Sequence, residues 1–426
     1  MKKSYYIKRI LLGALLVGLV GCIGFVLYDW GIFKTLPKTE EYIKADRNEQ
    51  WISDIDYLEV ALPKMHKNLF FKQSKDFFID NLEELKAKVP EYTDNEINYE
   101  LSKIVSYMGD THTNVNMGVE KMYPLSLFWY DEGIYIVDTD ERYKDLLYSK
   151  IISLNDRPIE DVAYAFKDVF FSGANENWFK NQVMYYVVSE SLLEYVGIIH
   201  EEEISLKVQK PDGSKEQINM LPVKNGESRL IQDDSVYTKL LRDGHEYENY
   251  WFEYLPDEKV MYVNYRCAVQ MNDKPSEIFA NELEEVLKKE DVEKLVIDLR
   301  QNQGGGDPVF TPIFKKIKSS KLNAEGKLYV LIGRKTYSAG MNAAIKLKEK
   351  THATLIGEST GGRPSHYGST KHFKLPNSGL NVNYSTLYIK HLDEHLESLE
   401  PDVKVGVSAE QELNGVDSAL DWIFEQ

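Results

Sequence analysis

The sequence predicts an α/β protein: an N-terminal transmembrane helix, a helical segment, a small mixed domain, and a mostly parallel α/β domain that fills residues 250–426. Three observations predict it. Residues 10 to 27 form an uncharged apolar run behind a basic flank. From Tyr250 onward, strand and helix patterns alternate, which implies crossover connections and a parallel sheet. Two of those strand runs, Leu295-Val296-Ile297 and Leu328-Tyr329-Val330-Leu331-Ile332, are continuously apolar, as in strands covered on both faces.

The anchor comes first, within a segment set at residues 1–34. Lys2, Lys3, Lys8 and Arg9 precede Ile10 to Leu27, and Asp29 ends the run. As a helix this run would span about 27 Å, close to a bilayer's hydrocarbon thickness. The basic flank should stay in the cytoplasm, which places the rest of the chain outside. Leu19-Val20-Gly21-Cys22 resembles a lipoprotein cleavage box, but Ile23 to Leu27 stay apolar where a lipidated N-terminus is polar. An uncleaved anchor is the better reading.

Residues 35–115 form the helical region. Trp51, Ile55, Leu58 and Leu62 recur at helical spacing until Pro63 breaks the pattern. A second helix is expected over Lys75 to Lys88. A third starts at Thr93-Asp94-Asn95-Glu96, a capping-box pattern, with Ile97, Leu101, Ile104 and Met108 on its apolar face and Gly109 as its stop. His112 then sits in the loop just past a helix end.

Residues 116–225 read as the small mixed domain. Strand-like pieces such as Gly133 to Val137 and Ile204 to Val208 surround one helical stretch, Ile159 to Phe166, with a Pro-Asp-Gly turn at 211 to 213. Residues 224–249 are polar and read as a connector. The final domain, 250–426, takes strands at Val260 to Tyr265, Leu295 to Leu299, Leu328 to Ile332 and Thr354 to Ile356. Helices are expected around Ser276 to Lys288, from Val309 and from Met341. Ligands in such sheets bind beyond the carboxyl ends of the strands.

Composition narrows the function. The chain has 426 residues, 43% of them hydrophobic, enough for real cores, and a formal net charge of -17 excludes the basic face that nucleic acid binding needs. Its two cysteines, Cys22 and Cys267, lie in a membrane run and a strand and do not pair. Cys267 reads as a buried core thiol.

Two strand ends carry chemistry. After Leu299 come Gly304, Gly305 and Gly306, whose backbone N–H groups could face an anion, although a flexible turn is the plainer reading. After Ile332 come Gly333-Arg334-Lys335-Thr336-Tyr337-Ser338-Ala339-Gly340, with a helix beginning at once. A serine there has an exposed hydroxyl, with the helix N-terminus and the next N–H aimed at any nearby oxygen that becomes negative. The alternative is an ordinary helix cap. A serine nucleophile needs a base, and of nine histidines His112 and His366 lie in glycine-bearing loops suited to a site. Residue types alone do not choose between them. His391 and His395 could share a helix face and hold a metal, yet no third ligand is in view. No cofactor is called for.

Taken together, Lys294 to Arg300 with Gly304-Gly305-Gly306, then Tyr337-Ser338-Ala339-Gly340, then Ile356-Gly357-Glu358-Ser359-Thr360-Gly361-Gly362 resemble the tail-specific (C-terminal processing) serine peptidases. The resemblance spans roughly residues 50 to 425. Asp110-Thr111-His112-Thr113 looks like the histidine motif of the tricorn-core and retinoid-binding-protein-like branch. It implies a ClpP/crotonase-like core, Ser338 as nucleophile, His112 as general base, and an oxyanion hole of Ala339 N–H with a glycine N–H at Gly304 or Gly305. Glu358, Glu394 or Glu397 would orient the histidine, with Thr111 in support. Relatives with a lysine base carry it about where this chain has Arg363, which stays charged; Lys371 is then a surface charge. The middle domain resembles a PDZ-like module, without a recognisable carboxylate-binding loop around Tyr123 to Leu127.

These expectations describe a membrane-anchored extracytoplasmic serine peptidase acting on polypeptides, with homo-oligomerisation left open. Two other readings stand beside it: a non-catalytic ligand- or peptide-binding protein on the same fold, and a hydrolase of small esters or amides.

Overall fold

The computed structural model describes residues 34–227, 240–245, 247–391 and 395–426. Ile10 to Leu27 and Glu394 lie outside the described residues, as does half of the 224–249 connector. Among the described residues no helix is long and apolar enough to cross a membrane. The chain divides into two compact units, Met1–Met117 with Tyr367–Ile389, and Gly118–His366 with Lys390–Gln426.

In the first unit the helices are α1 (Arg47–Met65), α2 (Lys75–Lys88) and α3 (Asp94–Tyr107). Each start is capped: Asp46 accepts from the Asn48 and Glu49 N–H groups, Ser74 from Phe77, and Thr93 and Glu96 bond reciprocally. Ile55, Leu58 and Leu62 of α1, Phe78 and Leu82 of α2, and Ile97 and Leu101 of α3 close into one core. Pro63 does not end α1, contrary to the sequence expectation. It stands in the last turn, and the His66 N–H beyond it still reaches the Leu62 carbonyl at 2.9 Å. After α3, Gly109 turns the chain at φ +85° into β1 (Asn114–Val115).

The second unit opens with an antiparallel sheet, in order β2 (Leu125–Tyr130), β3 (Gly133–Thr139), β4 (Lys150–Leu154), β5 (Ile204–Gln209) and β6 (Lys215–Met220). Helix α4 (Ile159–Tyr164) falls where one was expected, but α5 (Glu176–Val187) was not foreseen. Its text is rich in aromatic and β-branched residues, which favour strands. The helix forms because Asn175 caps the Trp178 N–H and because Phe179, Val183, Met184 and Val187 bury one face.

The second sheet of this unit begins with β7 (Tyr250–Leu255), antiparallel to β8 (Val260–Tyr265). Parallel strands follow: β9 (Lys294–Asp298), β10 (Leu328–Ile332) and β11 (Thr354–Gly357). The connecting helices are α6 (Ser276–Lys289), α7 (Phe310–Ser319) and α8 (Ala339–Lys350). Side chains alternate across the sheet. Leu295, Ile297, Leu328 and Val330 face the three helices, whereas Val296, Tyr329 and Leu331 face the C-terminal helix α9 (Ser418–Phe424). Past β11 the chain forms β12 (His366–Lys374) and β13 (Asn381–Ile389), which join β1 in the order β1-β13-β12, then returns to pair β14 (Val403–Lys404) with β11.

Candidate active site

Ser338 stands between β10 and α8 with φ +50° and ψ -122°, a conformation that costs a side-chain-bearing residue about 1–3 kcal/mol. Neighbouring bonds hold it there. Thr336 Oγ1 donates to the Leu299 carbonyl at 2.8 Å, the Tyr337 N–H donates to the Asn302 carbonyl at 2.9 Å, and the Gly362 N–H donates to the Thr336 carbonyl at 3.0 Å. Loops after β9, β10 and β11 are thereby tied together. Trp178 of α5 stacks on Tyr337, with centroids 3.9 Å apart and planes 12° off parallel.

The glycine loop meets the serine closely. Gly304 has φ +121°, and a Cβ on it would lie 2.7 Å from Ser338 Cβ and 3.2 Å from Oγ. Only glycine permits that approach. Gly340, the second residue of α8, likewise abuts the Asn302 carbonyl, which a Cβ would meet at 2.4 Å. Asn302 is fully buried, donating from Nδ2 to the Tyr265 carbonyl at 2.7 Å and accepting the Gly304 N–H on Oδ1 at 2.9 Å. This last bond alters the oxyanion expectation: the Gly304 N–H points at Asn302. Gly305 is the glycine left to donate, while Gly304 O and Gly306 N–H bracket it by bonding the two backbone groups of Ala268. Ala339 supplies the first N–H of α8, at the positive end of the helix dipole.

In the first unit, the loop between α3 and β1 surrounds a buried carboxylate. Asp110 accepts from His66 Nε2 at 3.0 Å and from Thr113 Oγ1 at 2.5 Å on one oxygen, and from the His112 N–H at 3.0 Å on the other. The His112 ring lies beside it, Nδ1 to Oδ1 being 3.9 Å. Burial works to raise the Asp110 pKa. The bond from His66, the charge of His112 and the hydroxyls of Ser385 and Thr113 outweigh it, holding the carboxyl below its usual range. His66 Nδ1 accepts the Asn68 N–H at 2.9 Å, so its proton sits on Nε2 and points at Asp110.

Other residues singled out in the sequence stand as follows. Glu358 is clasped by the Arg334 guanidinium, Nε to Oε2 at 3.0 Å, and Glu397 pairs with Arg363. Each carboxylate therefore answers a guanidinium, whereas the carboxylate beside His112 is Asp110. Lys371 is exposed, and His366 Nδ1 donates to the Arg363 carbonyl at 2.9 Å. His391 lies past the end of β13 and bonds Asn342, and residues 392–394, between it and His395, lie outside the described residues. Among the described residues no cluster of three or more His, Cys, Asp or Glu side chains could hold a metal. Cys267 lies just past β8 and is half-buried, where the sequence suggested a core strand. His66 and Asp110 escaped the sequence reading. Asp110 sat inside the quoted motif; nothing local marked His66, whose role depends on a contact 44 residues away.

Residues 307–405 match the model of peptidase family S41. No curated protein matches the chain. Among solved structures, mature CPAF complexed with lactacystin is 12% identical, with 89% of this chain and 97% of that one covered at a TM-score of 0.65. The crystal structure of mature CPAF gives 13%, 88%, 96% and 0.63. Identities this low speak for a shared fold. The family segment opens directly after the three glycines and contains Ser338, the strained turn and Glu358. Residues 307–405 are therefore similar to peptidase family S41, a family of serine-type peptidases, and the chain shares its mixed α/β fold with the solved structures above.

Proposed function

We propose that this chain is a membrane-anchored serine peptidase that works outside the cytoplasm, with Ser338 as nucleophile and His112 as general base. The observation that carries the nucleophile is the backbone of Ser338: a strained residue at a strand-to-helix turn, packed against a glycine that leaves room for nothing larger. The anchor rests on the run Ile10 to Leu27 and its basic flank.

In this reading Ser338 Oγ attacks a peptide carbonyl as His112 takes its proton, and the carbonyl oxygen becomes an oxyanion. The N–H groups of Ala339 and Gly305 receive that charge. Collapse breaks the C–N bond, and His112 returns the proton to the leaving amine. Water, deprotonated by His112, then attacks the acyl-enzyme and frees Ser338. Asp110, ionised and fixed by His66 and Thr113, stabilises the imidazolium that forms. The antiparallel sheet of β2 to β6 supplies a PDZ-like support for the polypeptide.

Labelling of the full-length chain by a serine-directed fluorophosphonate, together with turnover of an unfolded polypeptide, tests the assignment. Both should vanish in Ser338→Ala, and turnover should fall sharply in His112→Ala. An unlabelled wild-type chain ends the proposal. Loss of turnover in His366→Ala but not in His112→Ala transfers the base. Release of the chain by alkaline carbonate, or protection of its C-terminal region in intact cells, refutes the anchor and its orientation.

A further inference from the structure

The second unit carries a half-open cavity of about 510 Å³ over the carboxyl ends of β8 to β11, and Ser338 is not among its lining residues. Such a volume suits a small organic ligand. Five cationic side chains line it: Arg242, Arg266, Arg300, Arg334 and Lys335. Three are answered. Arg242 meets Glu412 at 2.6 Å, Arg300 grips both Asp417 oxygens at 2.7 Å, and Arg334 pairs with Glu358.

Arg266 and Lys335 have no ion-pair or hydrogen-bond partner among the described residues. Of the acids in the wall, Asp243 bonds Gln301 and lies 3.7 Å from Arg242. Asp138 accepts its own neighbour's N–H from Thr139, and burial pushes its pKa up to about 6. Neither forms a hydrogen bond or close ion pair with the two remaining cations, although the charge of Asp243 reaches Lys335. Burial, then the charge of Arg242, then those of Arg334 and Arg266 hold the Lys335 ammonium below its ordinary value, with Asp243 opposing them. An ammonium with no bonded counter-ion, outnumbered by guanidinium groups, is costly unless an anion joins it. Leu127, Phe128, Val137 and Ile332 give the same cavity apolar walls, which suits an organic anion better than an inorganic one.

We propose that this cavity is a binding site for an organic carboxylate, held by Lys335 and Arg266. The carboxylate belongs either to a free small acid or to a polypeptide. Full-length chain carrying Ser338→Ala cleaves nothing, so calorimetric binding to it stands or falls separately from the peptidase mechanism. The probes are 3-phenylpropionate against its amide, and a hexapeptide ending in phenylalanine against its C-terminal amide. The acid form should bind about tenfold more tightly than the amide in at least one pair. A preference in the peptide pair identifies a polypeptide source, and one confined to phenylpropionate identifies a free acid. Lys335→Met and Arg266→Gln should each erase the preference, while Lys335→Arg and Arg266→Lys retain it and control for folding. Equal binding of acid and amide in both pairs, no binding, or a preference that survives both neutral variants overturns the proposal.

Discussion

The serine turn and the histidine cluster are both polar and ordered, but they are held by different forces. Around Ser338 the ties run mostly through the backbone, and the closest approaches exist because Gly304 and Gly340 lack side chains. Around His112 the ties are side-chain bonds converging on one buried, ionised carboxylate. Shape fixes the first region, and charge fixes the second. The first should therefore be sensitive to volume and nearly indifferent to pH, and the second the reverse.

The largest effect that can break this contrast is Asp110→Asn, which keeps the volume and removes the charge. Turnover should fall by about 10³-fold, short of the loss seen when a triad carboxylate in direct contact is neutralised. The same variant has a stability signature. Asp110 is held below its unfolded value of about 3.9, so its contribution is present above that pH and is lost as pH falls through the folded value. In urea unfolding from pH 7 down to pH 2, the gap between wild type and Asp110→Asn should shrink at the acid end. A constant gap means that the carboxylate's charge is not what stabilises the loop.

Next in size is Gly304→Ala. The added methyl must displace Ser338 or its own loop, and a misplacement of that order costs about 10²-fold in kcat/KM. The loss should be the same at pH 6 and pH 8. If it varied with pH, the turn would not be the purely steric device described. His66→Gln should cost about tenfold and move the acid limb of the pH–rate profile, because it removes one donor to Asp110. Smallest is Thr336→Val, which deletes the hydroxyl linking Leu299 and Gly333 and should lower unfolding stability by about 1–2 kcal/mol in denaturant titration.

The same contrast explains what could be read in advance. Capping boxes, apolar periodicity and glycine are local signals, so α3, β10 and the serine turn were visible in the sequence, the last two with their neighbours in order. Asp110 and His66 meet through a fold that sets residues 44 apart side by side, and no spacing announces that. The helix α5 was hidden for another reason: its aromatic residues prefer strands in isolation and are overruled by burial of one face. Glu358 illustrates the converse error. It lay in a telling motif, but the arginine 24 residues before it claims its carboxylate.

The excursion of the chain through β12 and β13 has a further consequence in time. Among the described residues strand β1, just past His112, pairs with β13 alone, and Phe373, Leu375, Val382 and Tyr384 of that hairpin complete the core beneath helices made some 300 residues earlier. Synthesis runs from the N-terminus, so a nascent chain carries its histidine loop unfinished until the ribosome has passed Ile389, well after Ser338 has emerged. A chain synthesised in that order completes the surroundings of His112 late, and a truncated product ending before the hairpin lacks the strand that β1 pairs with.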